Sequence, residues 1–277
     1  THGHEDHIGA IEYHYKAIKD IPIYASPFTA DLVRNKLKFH NINNPKIIEI
    51  KFGKKYYIDN FAVTFIPIEH SIPEAAMLLI EMEGLAVLHT GDFKINPKSF
   101  KATNFIKNLP KKIDYLFCDS TNANKDKPYK TEESILLDLN DIVKNSKQAI
   151  WVTLFSSNID RLNNVINVAN KNNKKIVLLG TSVQNYYNVA SKHGYISTGG
   201  TVISLEEAAN YSKKDLLYIV TGSQGEPNSF LQRVLLQEYK GLSINNGDAV
   251  IFLSSIIPGN EIKVSRIYNL ITENNAV

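Results

Sequence analysis

The first seven residues contain the densest group of potential metal ligands in the chain. Three histidines, a glutamate and an aspartate lie within the six consecutive positions 2–7, with Gly3 between the first two histidines. Neutral imidazole nitrogens and carboxylate oxygens are the ligands that zinc and related divalent ions prefer. The histidines fall at i, i+2 and i+5, whereas a helical zinc motif places them at i and i+4. The spacing therefore predicts a metal-binding loop rather than a helix face.

The side chains of this loop are expected to serve two metal positions. In an extended segment His2 and His4 point the same way, which leaves Asp6 and His7 to turn toward a second point nearby. Glu5 is expected to face solvent or to support a ligand from behind. A histidine-rich terminal tract can also be a purification tag, but tags lack these interleaved carboxylates. The loop thus predicts two metal ions and hydrolysis at a shared water.

Two later segments add candidate ligands at the ends of predicted strands. One apolar run leads into His70, and a later run leads into Asp92 through a glycine. Loops at strand ends can converge, so His70 can complete a three-histidine set with His2 and His4, and Asp92 can bridge two metals. Taken alone, a histidine such as His70 is more often structural than catalytic, and Asp92 can also cap the following turn. Their joint occurrence favours the metal site, whereas His89 is left as a supporting or core residue.

Composition describes a globular protein with one large domain or two smaller ones. The 277 residues are 43% hydrophobic, and no apolar run or leader suggests a membrane span or secretion, so a cytoplasmic location is expected. The single cysteine, Cys118, lies in an apolar run and is expected to be a small buried hydrophobe in a reducing compartment. The net charge of +3 does not demand a polyanionic partner. Clustered lysines would bind the phosphates of a nucleic acid only if the fold placed them beside the metal site. They are Lys51, Lys54, Lys55, Lys111, Lys112, Lys125, Lys127 and Lys130.

Hydrophobic patterning predicts an α/β protein in two parts. In the first part, helices at 10–19 and 28–39 flank a strand at 21–24, and strands follow at 56–58, 61–68, 76–81, 85–89 and 113–118, with a hairpin turn at 83–84. In the second, strands at 149–155, 175–179, 216–220 and 249–253 alternate with helices at 158–170, 182–191, 205–210, 227–239 and 260–272. That alternation is typical of a parallel, doubly wound sheet. We expect domains at residues 1–130 and 131–277.

Three loops that follow strands of the second part are candidate phosphate contacts. Residues 221–226 are predicted to open a helix, which aims backbone amides at an anion, and residues 254–261 follow another strand in the same way. A tight strand-to-helix turn explains each of these two loops equally well. The third loop, residues 156–158, follows the strand predicted at 149–155 and is equally explained as a helix N-cap. The candidate residues are Ser156, Asn158, Gly222, Ser223, Gln224, Ser254 and Ser255.

Several motifs together resemble the β-CASP ribonucleases, the nucleic-acid branch of the metallo-β-lactamase fold. They are HGHEDH at 2–7, HSIPEA at 70–75, TGDFK at 90–94 and DSTNA at 119–123. TGSQGEP at 221–227 and IPGNE at 257–261 resemble the ribonuclease J family in particular. HGHEDH alone indicates only the wider metallohydrolase superfamily, whereas the combination spans nearly the whole chain. The resemblance implies a partial αββα metallo-β-lactamase domain followed by a doubly wound, parallel-sheet β-CASP domain.

The resemblance also implies a ligand set and a reaction. The implied zinc ligands are His2, His4 and His70 for one ion, Asp6 and His7 for the other, and Asp92 as a bridge. Asp119 matches the family's first β-CASP acid, and Asp6, Asp92 and Asp119 are the implied catalytic carboxylates. A metal-bridging hydroxide, oriented by Asp6, then attacks an RNA phosphodiester held in a channel between the domains. The implied roles are 5′-3′ exonuclease or endonuclease activity in cytoplasmic RNA decay and rRNA processing, by a homo- or hetero-oligomer.

Some family features have no counterpart in this sequence. An aspartate expected in a strand before HGHEDH would precede residue 1, and two later histidines would lie beyond residue 277. These departures predict an internal piece of a longer enzyme. Two rival functions are a noncatalytic RNA-binding partner subunit of the same fold and a metallohydrolase of small esters or thioesters. Intact metal motifs argue against the first rival, and the large second α/β part argues against the second.

Overall fold

The chain divides into two compact units, Thr1–Lys127 and Pro128–Val277. The computed structural model describes residues 1–19, 21–94, 109, 112–121, 123–124, 132–197 and 200–277. The lysines at positions 111, 125, 127 and 130 lie outside the described residues, and the domain boundary after residue 130 stays a prediction. None of the helices in the described ranges is long and apolar enough to cross a membrane.

The first unit begins with helices and a parallel strand pair and continues as a sheet. Its helices are α1 (Glu5–Ile8), α2 (Ile11–Ile18) and α3 (Pro27–Phe39). Its strands are β1 (Ile23–Ala25), β2 (Ile47–Glu49), β3 (Lys55–Ile58), β4 (Phe61–Pro67), β5 (Ala76–Met82), β6 (Leu85–His89) and β7 (Tyr115–Phe117). Strands β1 and β2 pair in parallel, and the larger sheet has the order β3-β4-β5-β6-β7.

Strand direction in the larger sheet brings three strand ends to one edge. Strands β3 to β6 are antiparallel neighbours, and β7 pairs in parallel with β6. Strands β4, β6 and β7 therefore run the same way and end at the same edge. The β5–β6 turn contains Glu83 and Gly84, both with positive φ (49° and 81°), which is the geometry of the predicted two-residue hairpin.

Helix α3 has one apolar face that is buried. Pro27 lies in its first turn, where a missing amide hydrogen costs nothing. Phe28, Leu32, Val33 and Leu37 recur at helical spacing and are almost completely buried. This face makes α3 a rigid support for loops that contact it.

The second unit is built on a parallel sheet. Its strands are β8 (Ile150–Thr153), β9 (Lys175–Leu179), β10 (Val202–Ile203), β11 (Leu216–Val220) and β12 (Ala249–Phe252). Its helices are α4 (Glu132–Asn145), α5 (Ile159–Lys171), α6 (Thr181–Lys192), α7 (Leu205–Ala208), α8 (Phe230–Leu235) and α9 (Glu261–Glu273), with a 3₁₀ turn at Lys213–Asp215. The order β10-β9-β11-β8-β12 confirms the doubly wound sheet, and every residue of β8 and β11 is buried, as in parallel sheets covered on both faces.

Some local predictions were wrong, and the backbone shows why. Helix α8 is much shorter than the predicted 227–239, because Asn228 (φ 60°) and Gln237 (φ 59°) adopt left-handed conformations on either side of it. Residues 5–8 form a helical turn rather than a continued loop, so the prediction of a non-helical motif is correct only for the extended part up to His4. Cys118 is exposed rather than buried. Helix α4 and strands β2 and β10 were not predicted.

Candidate metal centre

Predicted ligands from separate parts of the chain meet at the edge where β4, β6 and β7 end. His70 follows β4 and Asp92 follows β6. The opening segment is fixed at the same edge, because the amide of Ala76 at the start of β5 donates to the Thr1 carbonyl at 3.0 Å. His2 and His4 are thereby brought to the other ligands. The structure contains two overlapping groups of side chains able to hold a metal ion within its described residues.

The first group consists of His2, His4 and His70. Nδ1 of His4 lies 3.0 Å from Nε2 of His2 and 3.0 Å from Nε2 of His70. Zn–N distances of about 2.0–2.1 Å in a tetrahedron place two ligand nitrogens about 3.3–3.4 Å apart, so this spacing fits one ion. The rings meet edge to face, with interplanar angles of 72–81°, and one nitrogen of each ring lies at the point where the three converge. The residues therefore fit a zinc-like ion.

The second group consists of His2, His7 and Asp92. Oδ2 of Asp92 lies 3.3 Å from Nε2 of His7 and 4.0 Å from Nε2 of His2. His2 belongs to both groups, whereas Asp92 belongs only to the second, so its role as a bridging carboxylate stays a prediction. Asp6 is at the periphery: its Oδ2 is 3.6 Å from Nε2 of His7, and its side chain is 76% exposed. Asp6 as a metal ligand stays a prediction.

The histidines of the first group are held in the neutral form that a metal requires. Burial, followed by repulsion from His4, His7 and His70, lowers the pKa of His2 to about 2. Burial, followed by repulsion from His70, lowers the pKa of His4 to about 4, although Asp6 opposes the shift. Burial also lowers the pKa of His70 against the attraction of Asp92. These imidazoles carry free lone pairs at neutral pH.

Helix α3 supports the loops that carry the histidines. A Cβ at Gly3 would lie 2.5 Å from Cδ1 of Leu32, so any larger residue there would have to displace this buried leucine side chain of the helix. Glu5 faces solvent with a 68% exposed side chain, and it pairs with Lys36 of α3 at 2.6 Å. The carboxylate of Glu74, on the His70 loop, accepts a hydrogen bond from the Phe28 amide in the first turn of α3 at 2.8 Å.

Hydroxyl groups beside the histidines were missed by sequence reasoning. The Thr1 hydroxyl lies 3.1 Å from Nδ1 of His2 and 3.2 Å from Nδ1 of His7, and the Ser71 hydroxyl lies 3.4 Å from Nε2 of His4. These are the ring nitrogens opposite those that converge. A metal-ligating histidine usually bonds through its second nitrogen, so serine or threonine next to the motif was the available signal. Nδ1 of His70 is buried and has no such partner in the part of the chain that the structure describes.

The turn after β6, which carries Asp92, requires glycine at position 91. Gly91 has φ 59°, and a Cβ there would lie 2.8 Å from the carbonyl oxygen of Ala76. The Gly91 amide donates to Nδ1 of His89 at 3.0 Å. His89 is exposed, so the core alternative for it is wrong, and its contact supports the turn that carries Asp92.

Asp119 is held beside the first group by the strand end after β7. Its amide donates to the Thr90 hydroxyl at 3.0 Å, and its Oδ1 accepts from the Thr121 amide at 2.9 Å. Partial burial raises the pKa of Asp119, but hydrogen bonds from Thr121 and the Phe93 backbone and attraction to His70 outweigh it and lower the pKa overall. Asp119 is therefore an anion attracted to His70, but it belongs to neither group of candidate ligands among the described residues.

In the second unit, the loop after β8 shows that one candidate phosphate contact is engaged locally. Oδ1 of Asn158 accepts from the Arg161 amide at 3.0 Å and caps α5, which confirms the N-cap alternative. Half-buried Ser156, after β8, shares a 2.9 Å hydrogen bond with exposed Ser182 in the first turn of α6. Phosphate contact by these residues stays a prediction.

The loop after β11 has the features of a tight turn rather than an open anion cradle. Gly222, Ser223 and Gln224 are buried, and the Gln224 amide already donates to the carboxylate of Glu226 at 3.1 Å. Helix α8 begins only at Phe230, so residues 221–226 do not open a helix. Ser254 and Ser255, after β12, are half-buried and exposed, respectively.

Comparison with known families agrees with the fold and the site. Residues 1–150 match the family model described as a β-lactamase superfamily domain, and residues 147–271 match the model described as the ribonuclease J β-CASP domain. The fold and the site thus define a protein of the β-lactamase superfamily joined to a β-CASP domain. Metal binding is the general property that this superfamily implies, and the clustered histidines are its counterpart here.

Curated relatives narrow the family further. Ribonuclease J of Corynebacterium glutamicum is 34% identical over 283 residues, which covers 99% of this chain and 39% of that protein. Ribonuclease J of Helicobacter pylori is 32% identical over 292 residues (100% and 41%), and that of Sinorhizobium meliloti is 32% identical over 279 residues (99% and 49%). The chain belongs to the β-lactamase superfamily and carries a ribonuclease J β-CASP domain. It is similar over nearly its whole length to these ribonuclease J proteins and spans 39–49% of their length.

A solved structure shares the fold at low identity. The crystal structure of a protein of unknown function from Enterococcus faecalis V583 aligns with a TM-score of 0.65 and 13% identity, covering 92% of this chain and 62% of that one. The likeness extends to the fold alone.

Proposed function

We propose that this chain carries the metal centre of a zinc-dependent ribonuclease that hydrolyses RNA phosphodiester bonds. The supporting observation is the convergence of four imidazoles and the Asp92 carboxylate at one sheet edge, in a chain that carries a ribonuclease J β-CASP domain. RNA decay and rRNA processing in the cytoplasm are the roles that this activity would serve. We propose that the whole protein, rather than this chain alone, sets the ratio of exonuclease to endonuclease activity.

The chain's own residues divide the chemistry between them. The proposed holders of two zinc ions are His2, His4 and His70 for one, His7 and Asp6 for the other, and Asp92 for both. When bound, the ions supply Lewis acidity toward a phosphoryl oxygen and lower the pKa of water. Asp6 has an exposed carboxylate 3.6 Å from His7, so its Oδ2 can accept a proton from water at that position. Asp119 keeps the His70 side of the site negative.

Basic residues near the metal edge are proposed to bind the RNA backbone. Lys51 and Lys54 lie in the loop before β3, which is fixed at this edge by a hydrogen bond from the Gly53 amide to the Phe65 carbonyl at 2.9 Å. Lys54 lies over the Tyr56 ring at 5.1 Å. Nonspecific phosphate contacts of this kind provide affinity without sequence preference. Lys112 precedes β7 at the opposite edge and is not part of this surface.

Alanine substitution at the metal centre tests the proposal. We expect His4→Ala and Asp92→Ala to abolish zinc-dependent cleavage of a labelled single-stranded RNA and to reduce bound zinc, because the first removes a ligand of one group and the second a ligand of the other. The measurements are gel analysis of RNA products and metal content by mass spectrometry, with circular dichroism as a check on folding. His14→Ala is the matched control, because His14 is an exposed histidine of α2 outside both groups. Full cleavage by both site variants would remove the mechanism.

Substrate competition separates this proposal from its rivals. Unlabelled RNA should suppress cleavage of labelled RNA, whereas small esters and thioesters should neither compete nor be hydrolysed. An esterase would show the reverse pattern. A protein that binds both zinc and RNA but releases no product would be a noncatalytic subunit.

A further inference from the structure

A single buried amide connects two candidate RNA-binding loops of the second unit. Gln224 lies in the loop after β11 and is only 4% exposed. Its Nε2 donates to the Ser255 carbonyl at 3.0 Å and lies 3.5 Å from the Ser254 hydroxyl. Its Oε1 accepts from the Ile257 amide at 2.8 Å and lies 3.5 Å from Nδ2 of Asn260. The polar atoms of this side chain are thus directed into the neighbouring loop, 254–260, rather than toward a ligand.

The Gln224 side chain connects loops that follow two strands that are not neighbours in the sheet. Strands β11 and β12 are not neighbours, because β8 lies between them. Gln224 therefore reaches across the end of β8, the strand that leads into Ser156. On the same side, Gly225 packs so tightly on α9 that a Cβ would lie 2.7 Å from the backbone of Lys263. The loop after β11 is therefore held in place by its packing on α9, and the Gln224 side chain extends from it.

The loop that Gln224 holds has little other support from apolar packing. Ser255, Ile256, Ile257, Pro258 and Gly259 are all exposed. Gly259 has φ 95°, a conformation that a side chain would oppose. A loop with exposed side chains stays in one conformation only where its backbone groups are bonded, and Gln224 bonds two of them.

We propose that Gln224 is a positioning residue that holds loop 254–260 in the conformation that presents Ser254 and Ser255 to RNA. This inference rests on the proposed ribonuclease function. The sequence predicted that Gln224 contacts phosphate directly. We instead give its side chain an indirect role, in which the amide orders the neighbouring loop before RNA binds. Preordering lowers the entropic cost of binding, so losing the amide weakens RNA binding without touching the metal centre.

The test compares two substitutions that each remove a side-chain amide bonded to two backbone groups. Gln224→Met keeps the length of the side chain but removes its hydrogen bonds. Asn274→Leu is the matched control, because Asn274 bridges to the Leu235 and Leu270 carbonyls at 3.2 and 2.8 Å. Asn274 lies beyond the far end of the 13-residue helix α9, away from loop 254–260. Both variants lose comparable bonds in the same unit.

Three measurements on the 277-residue chain decide the question. For Gln224→Met we expect hydrogen exchange of the Ile257 amide to become about 5-fold faster or more, because its acceptor is gone. We expect the Kd for a 5′-phosphorylated, fluorescein-labelled single-stranded RNA to rise about 5- to 10-fold, with zinc affinity unchanged. For Asn274→Leu all three quantities should stay at the parent value.

The outcomes separate failure of this inference from failure of the proposed function. Unchanged Ile257 exchange, or an unchanged RNA Kd despite faster exchange, overturns the positioning role. An equal loss of RNA affinity in Asn274→Leu also overturns it, because the effect would then be general destabilisation. A parent chain that binds zinc but no RNA overturns the proposed function itself, together with the RNA half of this inference.

Discussion

At the scale of single residues, the metal centre depends on imidazoles that are neutral because they are crowded and buried. His2 is 1% exposed, and its ring centroid lies within 4.8 Å of those of His4, His7 and His70. A proton on any of these rings would be poorly solvated and repelled by its neighbours. The histidines are thus unprotonated at neutral pH, and their lone pairs are free to bind a metal ion.

This crowding predicts a pH dependence for the metal-free chain. The pKa values of His2, His4 and His70 are lower in the folded state than the unfolded value of 6.5, so below that pH the unfolded chain binds more protons. The free energy of unfolding should therefore fall as pH drops from 6.5 toward about 4, the folded pKa of His4. Urea unfolding across this range measures it.

A variant isolates the histidine contribution from that of the carboxylates. His4→Gln removes one of the titrating groups and relieves repulsion on His2 and His70, so its stability should depend less steeply on pH between 6.5 and 4. His14→Gln, outside the cluster, should keep the parent slope. Identical slopes for the parent and His4→Gln would contradict the assignment of the shifts to the cluster.

At the scale of elements, helix α3 acts as the support on which the histidine loops are placed. The Glu74 carboxylate lies at its N-terminus, where the backbone amides and the helix dipole favour a negative charge. Lys36 and Leu32 contact the opening loop from the same helix. The helix thereby aligns His70 with His2 and His4, although it supplies no ligand.

Removing the Glu74 carboxylate should weaken the metal site through this support. We expect Glu74→Ala to cost about 1 kcal/mol of stability and to reduce zinc affinity about 10-fold. Isothermal titration with zinc and urea unfolding measure the two effects. Glu83→Ala is the matched control, since Glu83 is also a glutamate with positive φ (49° against 59° for Glu74) but lies in the exposed β5–β6 turn. Equal effects of both substitutions would assign the loss to backbone strain.

At the scale of the whole molecule, the two units carry different probes. The only tryptophan, Trp151, is 1% exposed and stacks on Tyr218 with ring centroids 4.2 Å apart in the core of the second unit. Its fluorescence therefore reports on the unit Pro128–Val277. The zinc ligands proposed above all belong to Thr1–Lys127.

This separation predicts that zinc stabilises one unit selectively. Zinc at about 100 times its Kd should stabilise the first unit by about 2.7 kcal/mol through mass action. We expect calorimetry to show one thermal transition moving upward while the midpoint of Trp151 fluorescence stays in place, and a chelator should reverse the change. A fluorescence midpoint that rises with zinc would instead mean that the units unfold together.

Much of the fold and the site followed from local chemistry. Alternation of apolar residues predicted β4 to β6, β9 and β11 within a few residues, because strands and helices impose their own periods on the chain. Helix α4 was not predicted, although it begins two residues after the lysine-rich segment 123–130 where the domain boundary was placed. The short helix α8 was overestimated because apolar spacing does not show where residues such as Asn228 turn left-handed.

The sequence by itself determined which side chains have lone pairs and charges, and that His70 and Asp92 follow strands. The tertiary structure alone decided which of them meet. Parallel running of β4, β6 and β7 and the Thr1–Ala76 hydrogen bond place His2 beside Asp92 and leave Asp6 at the periphery. It also decided that the Gln224 side chain hydrogen-bonds to loop 254–260 and that Cys118 is exposed. These outcomes depend on strand register and long-range packing, which no short stretch of sequence encodes.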